Sequence, residues 1–334
     1  MSRTLPLSAL RALAAAAVAG LIATGLPAQA ADKPMTKVKY QQAFAPSASD
    51  LPLYVAEAKG FFAAEGLEVE VRASQDATNA VSLVGAGDAQ LGTSYPPDIL
   101  LAAEKGLPIV AFYATYQVNP LGIVSLANGA NIRSVKDLIG KKIGLTPLPI
   151  DQLLFDAMIQ KTGITRKQME IFNPGFNGGQ MVGEHKLDGA SGVPWYEIDG
   201  LKSAGMDPVL MQYRDFGGVD FPFMVLISNK SFAESNPGAV KGFVKAMSRG
   251  DEYVRAHPEE AIDILLKAVP ALDRKRQEAA MKTVAPLRQS AGTEAHGAGW
   301  INMAQIQKLA DFLAERKLLA KRVDVSTVFT NRYR

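Results

Sequence analysis

Short apolar runs alternate with amphipathic helical patterns from about residue 36 onward, and this alternation restricts the fold more than any other feature of the chain. Strands that alternate with helices form parallel sheets covered by helices. The chain has 334 residues, of which 48% are hydrophobic, so it is long enough for more than one core. We therefore predict an α/β protein with two lobes. The predicted strands are KVKYQQAF, LEVEVRA, AQLGTS, PIVAFYATY, KIGLT, MEIFN, GASGV, PVLMQY and FMVLIS.

The second half of the chain ends in helices with regular apolar stripes. Asn236 is predicted to cap one of these helices, whose first turn contains Pro237. Apolar residues three and four positions apart share one face of a helix, so we predict that the stripes belong to the core. The stripe residues are Val240, Phe243, Val244 and Met247 in this helix, and Ile306, Leu309, Ala310 and Leu313 near the C-terminus.

Residues 1–30 have the pattern of a signal peptide. Arg3 and Arg11 precede the apolar run LAAAAVAGLIATGL, and a small-x-small cleavage site ends at Ala30. A membrane anchor is the alternative, but the run is shorter than the roughly 20 residues that span a bilayer. We predict cleavage near Ala30/Ala31 and a periplasmic location. A lipid anchor is not expected, because the chain contains no cysteine.

The charge and the reactive residues restrict the possible partners. The formal net charge is +3, and removal of residues 1–30 takes away two arginines and no acid, which leaves +1. A nearly neutral chain without a basic cluster is not expected to bind nucleic acid. The histidines, His185, His257 and His296, are isolated, so neither a metal site nor a cofactor is predicted. We expect a monomer that binds a small molecule.

One supersecondary pattern occurs twice, about a hundred residues apart, in VGAGDAQLGTSYPPDILLAAEKG and GEHKLDGASGVPWYEIDGLKSAG. In each copy a helix ends near Gly87–Asp88 or Leu187–Asp188, a short strand follows, and a new helix begins at a proline. Ligands of open α/β sheets bind beyond the carboxyl ends of strands, where helix N-termini point into the crevice. We predict that the copies lie in different lobes and face each other across a cleft.

Several phrases of this chain resemble the periplasmic solute-binding proteins of ABC importers for sulfonates, nitrate and thiamine pyrimidine precursors. LPLYVAEAKGFFAAEGLEVEV is similar to the opening helix and second strand of that family, and IRSVKDLIGKKIGL to its entry into the second lobe. Further similarity lies in GWINMAQIQKLADFLAERKLL and VFTNRYR. The resemblance implies a type II periplasmic binding protein with a central cleft and two hinge crossings, and an ABC permease as its partner.

The resemblance also implies how the chain divides into lobes. We place the crossings near Leu121 and Pro222, so that lobe one comprises residues 36–121 plus 223–334 and lobe two residues 122–222. Closure about the two crossings would bury the ligand.

The pyrimidine-binding branch of this family has the motif W-x-P-N-x-x-H-x-G-x-Y near its first strand. Phe44, Pro46 and Tyr54 keep the aromatic, proline and tyrosine character of this motif, while Ser47, Asp50 and Pro52 replace its Asn, His and Gly. YRDFGGVDFPFMVLISNK and FTNRYR are also similar to this branch. A thiamine pyrimidine precursor is therefore the favoured ligand, and a sulfonate, nitrate or taurine-like anion is the alternative.

Asp50, at the histidine position of that motif, and five other lobe-one residues are the candidate ligand contacts on that side of the cleft. Aromatic stacking by Phe44 could fix a planar ligand, with core packing as the rival interpretation. Asp98 could accept a hydrogen bond from a ligand amino group, although an acid in the first turn favours any helix. The remaining candidates are Thr93, Ser94 and Tyr95, which lie at a strand end before two prolines. A hydroxyl at this place could equally cap the helix.

Lobe two supplies the other candidates. Trp195 could form a wall of the cleft, and Glu197 could recognise an amine or a ring N–H, with Tyr196 between them. Thr146 and Asp151 flank PLPI after another strand, where helix-start amides could receive a polar group, although Asp151 could be an ordinary cap. The NPGFNGG stretch lacks the Gly-Lys-Ser/Thr end of a phosphate loop, so no phosphate function is predicted for it.

Two other classes of protein are alternatives to a binding protein. The pyrimidine-precursor synthase of thiamine biosynthesis resembles these binding proteins but carries a cysteine-rich iron motif, which a chain without cysteine does not contain. A ligand-sensing regulatory domain is disfavoured by the export signal. We therefore expect a binding protein and not an enzyme.

Overall fold

The computed structural model describes residues 35–73 and 77–334; the predicted signal peptide lies outside them. The strands are β1 Thr36–Gln41, β2 Leu67–Arg72, β3 Leu91–Ser94, β4 Ile109–Ala114, β5 Gly122–Leu126, β6 Lys142–Gly144, β7 Glu170–Phe172, β8 Gly189–Gly192, β9 Pro208–Gln212 and β10 Val225–Asn229. The helices are α1 Leu51–Ala58, α2 Phe61–Ala64, α3 Ala77–Ala86, α4 Pro96–Glu104, α5 Pro149–Lys161, α6 Gly178–Gly183, α7 Pro194–Ser203, α8 Lys230–Ser235, α9 Pro237–Ala256, α10 Pro258–Ala268, α11 Arg274–Val284, α12 Ala291–His296 and α13 Met303–Glu315.

The strands form two five-stranded sheets, each the centre of one lobe. The order is β2-β1-β3-β10-β4 in lobe one and β7-β6-β8-β5-β9 in lobe two. The expectation of parallel sheets was only partly correct, because each sheet is mixed. Strand β10 runs antiparallel to β3 and β4, and β5 runs antiparallel to β8 and β9. Each of these strands follows a passage between the sheets, so it enters its sheet from the opposite direction.

Two neighbouring segments carry the chain between the sheets. The first, residues 115–121, joins β4 to β5, and the second, residues 213–224, joins β9 to β10. Backbone hydrogen bonds connect them, from Thr115 N–H to the Met224 carbonyl at 2.7 Å and from Phe223 N–H to the Tyr116 carbonyl at 3.0 Å. We call residues 115–121 and 213–224 the crossings. The division of the whole chain into lobes near Leu121 and Pro222 stays a prediction.

The repeated strand-helix pattern is confirmed. Strand β3 leads into α4, which begins at Pro96, and β8 leads into α7, which begins at Pro194. The two strands also occupy equivalent places, because β3 pairs in parallel with β1 and β8 pairs in parallel with β6. The N-terminus of α4 and the N-terminus of α7 therefore lie at equivalent places in the two sheets.

The predicted helical stripes are buried and pack into the core, as expected: all eight residues are less than 5% exposed. The expected cap at Asn236 was only partly correct. Asn236 holds the N-cap position of α9, but its side chain makes no capping bond and instead donates from Nδ2 to the Phe232 carbonyl at 3.2 Å. Among the described residues, no helix is both long enough and apolar enough to cross a bilayer.

Candidate functional site

A cavity of about 680 Å³ lies between the strand ends of the two lobes. This volume is within the range of about 300–1,000 Å³ that is typical of small-molecule pockets. Seven of the predicted site residues line it: Phe44, Asp50, Tyr95, Thr146, Trp195, Tyr196 and Glu197. Both copies of the repeated pattern thus contribute to one cleft.

Aromatic rings form a connected wall around the cavity. Tyr95 of lobe one lies 4.8 Å, between ring centroids, from Phe223 of the second crossing, and Phe223 lies 6.2 Å from Trp195 of lobe two. Trp195 also packs against Tyr116 at 5.2 Å and Tyr196 at 6.2 Å. Trp195 is only 3% exposed, so it is fixed by its neighbours before any ligand arrives. Such a wall suits the flat face of a planar ring.

Asp50 provides a carboxyl group on the lobe-one side. It lies in a 3-10 turn, Ala48–Asp50, whose N-cap is Ser47. Its Oδ2 accepts hydrogen bonds from the Ser47 N–H at 3.2 Å and the Ser49 hydroxyl at 3.1 Å. Burial raises the pKa of Asp50 to about 6 despite these bonds. The carboxyl group therefore changes its charge in the weakly acidic range.

Glu197 provides the corresponding carboxyl group on the lobe-two side. Its Oε2 accepts a hydrogen bond from the Val193 N–H at 2.7 Å, in the first turn of α7. The carboxyl group lies where a side chain at Gly192 would begin, so only glycine leaves room for it. Burial raises the pKa of Glu197 to about 8, although the nearby positive charge of Arg276 opposes this. At neutral pH the group is therefore largely protonated and can donate a hydrogen bond.

Thr146 lines the cavity, but Asp151 does not. Asp151 is fully buried behind the wall, where its carboxylate binds the ends of three segments. Its Oδ2 accepts from the Thr146 hydroxyl at 2.7 Å and from the Ser191 hydroxyl, and its Oδ1 accepts from the Tyr213 hydroxyl at 2.9 Å. The sequence analysis predicted Asp151 as a ligand contact because it follows a strand end. The sequence does not show that hydroxyls on β8 and in the second crossing surround it.

Three lobe-one candidates also lie away from the cavity lining. The Thr93 hydroxyl is hydrogen-bonded to the Tyr40 hydroxyl within the core, and the buried Ser94 hydroxyl has no partner among the described residues. Asp98 lies partly buried in the first turn of α4. Strand β3 is buried along its whole length, so its last side chains point into the core and Tyr95 is the first to reach the cleft.

The lining residues that sequence reasoning missed include two aromatic residues and one basic residue: Phe176, Phe223 and Arg276. Arg276 belongs to α11, a helix that contacts both lobes. Gln277 accepts a hydrogen bond from the Ala48 N–H at 2.8 Å on the lobe-one side, and Thr283 donates to Asp199 of α7 on the other. The amphipathic pattern of α11 gave no signal of this bridging position. Across residues 35–73 and 77–334, no group of three acidic or histidine side chains could hold a metal ion.

Comparison with known proteins gives relatives over most of the chain. A formylaminopyrimidine-binding protein from Halalkalibacterium halodurans is 29% identical over 236 residues, which is 70% of this chain and 71% of that protein. The riboflavin-binding protein RibY from Chloroflexus aurantiacus is 26% identical over 317 residues, which is 93% of this chain and 89% of the length of RibY. A 4-amino-5-hydroxymethyl-2-methylpyrimidine phosphate synthase from Candida albicans is 26% identical over 221 residues, 63% of this chain and 65% of its own.

Solved structures confirm the fold. The periplasmic aliphatic sulphonate binding protein SsuA from Escherichia coli matches with a TM-score of 0.67 at 15% identity. The match covers 88% of this chain and 91% of the SsuA chain. The chain therefore has the two-lobe fold of type II periplasmic binding proteins, as expected from the sequence. The family model described as NMT1/THI5 like matches residues 48–261. Because this match covers more than half of the sequence, the chain belongs to the NMT1/THI5-like family.

Proposed function

We propose that this protein is the extracytoplasmic solute-binding component of an ABC importer, and that it captures a planar heteroaromatic solute. The observation that carries the proposal is the aromatic cleft with one carboxyl group on each side, Asp50 from lobe one and Glu197 from lobe two. The aromatic rings would stack on the solute, and the carboxyl groups would recognise its amino group or ring nitrogens. A solute that touches both lobes stabilises the closed form, which is then delivered to the permease.

A thiamine pyrimidine precursor is the solute we favour. An aminopyrimidine offers a ring nitrogen acceptor beside an amino donor, and a protonated carboxyl group such as Glu197 offers the complementary donor and acceptor. The similarity to the formylaminopyrimidine-binding protein supports this choice. Arg276 is the only basic residue among the described residues that line the cavity, and it is accompanied by the acids Asp50, Glu184 and Glu197. This balance disfavours a sulfonate or nitrate.

A flavin is a second candidate, because the cavity is larger than a single pyrimidine ring requires. The similarity to RibY extends over 93% of the chain. The synthase activity named for other relatives remains the alternative from a different class. We propose binding without turnover, because the chain has no cysteine for the iron motif of the synthases.

A thermal-shift panel tests the proposal. It contains 4-amino-5-hydroxymethyl-2-methylpyrimidine, riboflavin, an alkanesulfonate and nitrate. A ligand at one hundred times its Kd stabilises the folded state by about 2.7 kcal/mol, so a heteroaromatic solute should raise the Tm clearly. Stabilisation by the anions alone, or chemical conversion of a compound by the pure protein, would contradict the proposal.

A pair of variants tests the site within that experiment. Replacing Glu197 by Ala should weaken binding of the stabilising compound roughly ten- to a hundredfold, because a hydrogen bond to a charged or acidic group is lost. Asp98→Asn is the matched control, since Asp98 occupies the first turn of the equivalent helix in lobe one but does not line the cavity. Equal affinities of the two variants would mean that the solute binds elsewhere.

The export of the protein is a separate part of the proposal. We propose that residues 1–30 are removed near Ala30/Ala31 and that the mature protein lies in the periplasm. Intact-mass measurement of protein released by osmotic shock checks this. A full-length chain recovered with the membrane fraction would contradict it.

A further inference from the structure

The side chain of Phe176 is exposed to solvent although it lines the cavity. It is 55% exposed, the highest value among the large hydrophobic residues that the structure describes. It also lines the cavity, whereas Phe172 at the end of β7 is 42% exposed and does not. The aromatic wall described above does not account for an exposed ring at the rim.

The turn that carries Phe176 is held by its own hydrogen bonds. The Asn173 side chain accepts a bond from the Gly175 N–H at 3.0 Å, and the Asn177 N–H donates to the Pro174 carbonyl at 3.2 Å. Gly175 has φ +61°, a left-handed conformation that glycine adopts without strain. The turn therefore presents the ring of Phe176 outward in a defined place.

The ring of Phe176 meets a ring from the other lobe. Phe44 follows β1 in lobe one, and the two ring centroids are 6.1 Å apart with their planes at 78°. This is the edge-to-face geometry that aromatic pairs prefer. Phe44 in turn contacts Tyr95 at 6.2 Å, so Phe176 extends the aromatic wall from lobe two to lobe one.

The contact between Phe44 and Phe176 lies at a different place in the cleft from the contact between Trp195 and Phe223. Trp195 and Phe223 are 3% and 5% exposed, and Phe223 lies in a crossing, where rotation moves atoms least. The pair of Phe44 and Phe176 includes an exposed ring and lies at the rim. Opening of the cleft about the crossings must therefore separate this pair, while the contact at Phe223 can persist.

We propose that Phe44 and Phe176 meet over the mouth of the cavity, hold the cleft closed and set the rate at which a bound solute leaves. The proposal deepens the proposed function and rests on it for the solute. An edge-to-face pair shifts an equilibrium by about two- to tenfold, so its loss should change the open fraction by that factor.

The first test needs no solute. The chain has two tryptophans, so Trp300→Phe leaves Trp195, which lines the cavity, as the fluorescent reporter. In this background, Phe176→Ala should increase the quenching of Trp195 by acrylamide, because the cleft is open more often. Phe172→Ala is the matched control, an exposed phenylalanine of the same segment that lies off the cavity, and should leave quenching unchanged.

The second test measures solute release by stopped flow, with whichever of 4-amino-5-hydroxymethyl-2-methylpyrimidine and riboflavin stabilises the parent protein. Phe176→Ala should raise the dissociation rate about two- to tenfold and change the association rate less. Phe44→Ala should do the same, and the double variant should add little, because both substitutions remove one contact.

The outcomes separate the two proposals. Quenching of the Phe176→Ala variant at the level of Phe172→Ala overturns the closing pair, whatever the solute is. Additive effects of Phe44→Ala and Phe176→Ala on release overturn the pairing and assign each ring an independent contact with the solute. If neither compound binds the parent protein, the proposed function fails, and the quenching result still decides whether the pair closes the cleft.

Discussion

The Thr283 hydroxyl of α11 donates a hydrogen bond to Oδ1 of Asp199 in α7 at 3.0 Å and so connects the C-terminal helices with lobe two. Asp199 is 2% exposed, and its other oxygen, Oδ2, has no partner among the described residues. Burial raises the pKa of Asp199, and the Thr283 hydroxyl opposes this rise. The carboxyl group thus depends on Thr283 for its hydrogen bonding.

Removal of this donor should destabilise the protein. We expect Thr283→Val to lower the free energy of unfolding by about 1–3 kcal/mol, because a buried acidic acceptor loses its partner. Thr283→Ser keeps the hydroxyl and should lie closer to the parent. Urea denaturation of the three proteins measures the difference, and equal midpoints would show that the bond contributes nothing.

Stability should depend on pH through Glu197. The pKa of Glu197 is raised in the folded protein to about 8, so the folded state holds this proton more tightly than the unfolded state. The resulting stabilisation is complete below the ordinary glutamate pKa of about 4.3 and is lost as the pH rises through about 8. Glu197→Gln removes the titration, so the Tm of the variant relative to the parent should rise between pH 5 and pH 9.

Melting curves at a series of pH values check this prediction. Glu184→Gln is a suitable control, because Glu184 also lines the cavity but its pKa is lowered by the Lys186 and Gln180 side chains. A difference between Glu197→Gln and the parent that stays constant from pH 5 to pH 9 would contradict the raised pKa.

Asp151 should be essential for the lobe-two wall although it does not line the cavity. Its carboxylate accepts hydrogen bonds from the hydroxyls of Thr146, Ser191 and Tyr213, and an amide would place a donor among these donors. We expect Asp151→Asn to cost about 2–4 kcal/mol of stability and to weaken solute binding. Asp156→Asn on the same helix removes only a partly exposed ion pair with Arg166 and should cost less than about 1 kcal/mol.

The packing of α13 can be tested apart from the cleft. Leu309 is fully buried and does not line the cavity. Leu309→Ala should lower the free energy of unfolding by about 2–5 kcal/mol, because it leaves a hole in the core. Affinity for a solute, measured by calorimetry below the melting range, should stay at the parent value; a parallel loss of affinity would show that α13 supports the site.

Nine of the ten strands and the repeated strand-helix pattern could be predicted, because each has a local signal in apolar runs and in the prolines that begin α4 and α7. Strand β5, Gly122–Leu126, was not predicted, although the turn dipeptides Asn119–Pro120 and Asn128–Gly129 flank it. The direction of β5 and β10 was not predicted either, since it depends on the passage of the chain between sheets.

The candidate site shows the same limit. Trp195 and Glu197 follow a strand end and line the cavity. Asp151 also follows a strand end, but it is buried among partners that are distant in the sequence. Phe176 lies in the NPGFNGG stretch, for which the sequence analysis predicted no ligand contact. Which side chain of a turn reaches the opposite lobe is decided by tertiary packing, and no local pattern encodes it.

The two crossings lie side by side, joined by hydrogen bonds between Thr115 and Met224 and between Tyr116 and Phe223. In topological terms, the second sheet is therefore an insertion whose ends meet at one place on the first. All five strands of the first sheet lie outside residues 117–222, so a chain in which a short turn replaces these residues would keep that sheet complete. We therefore expect that the half of the cavity lining with Asp50 and Tyr95 could be exchanged or studied apart from the half with Trp195 and Glu197.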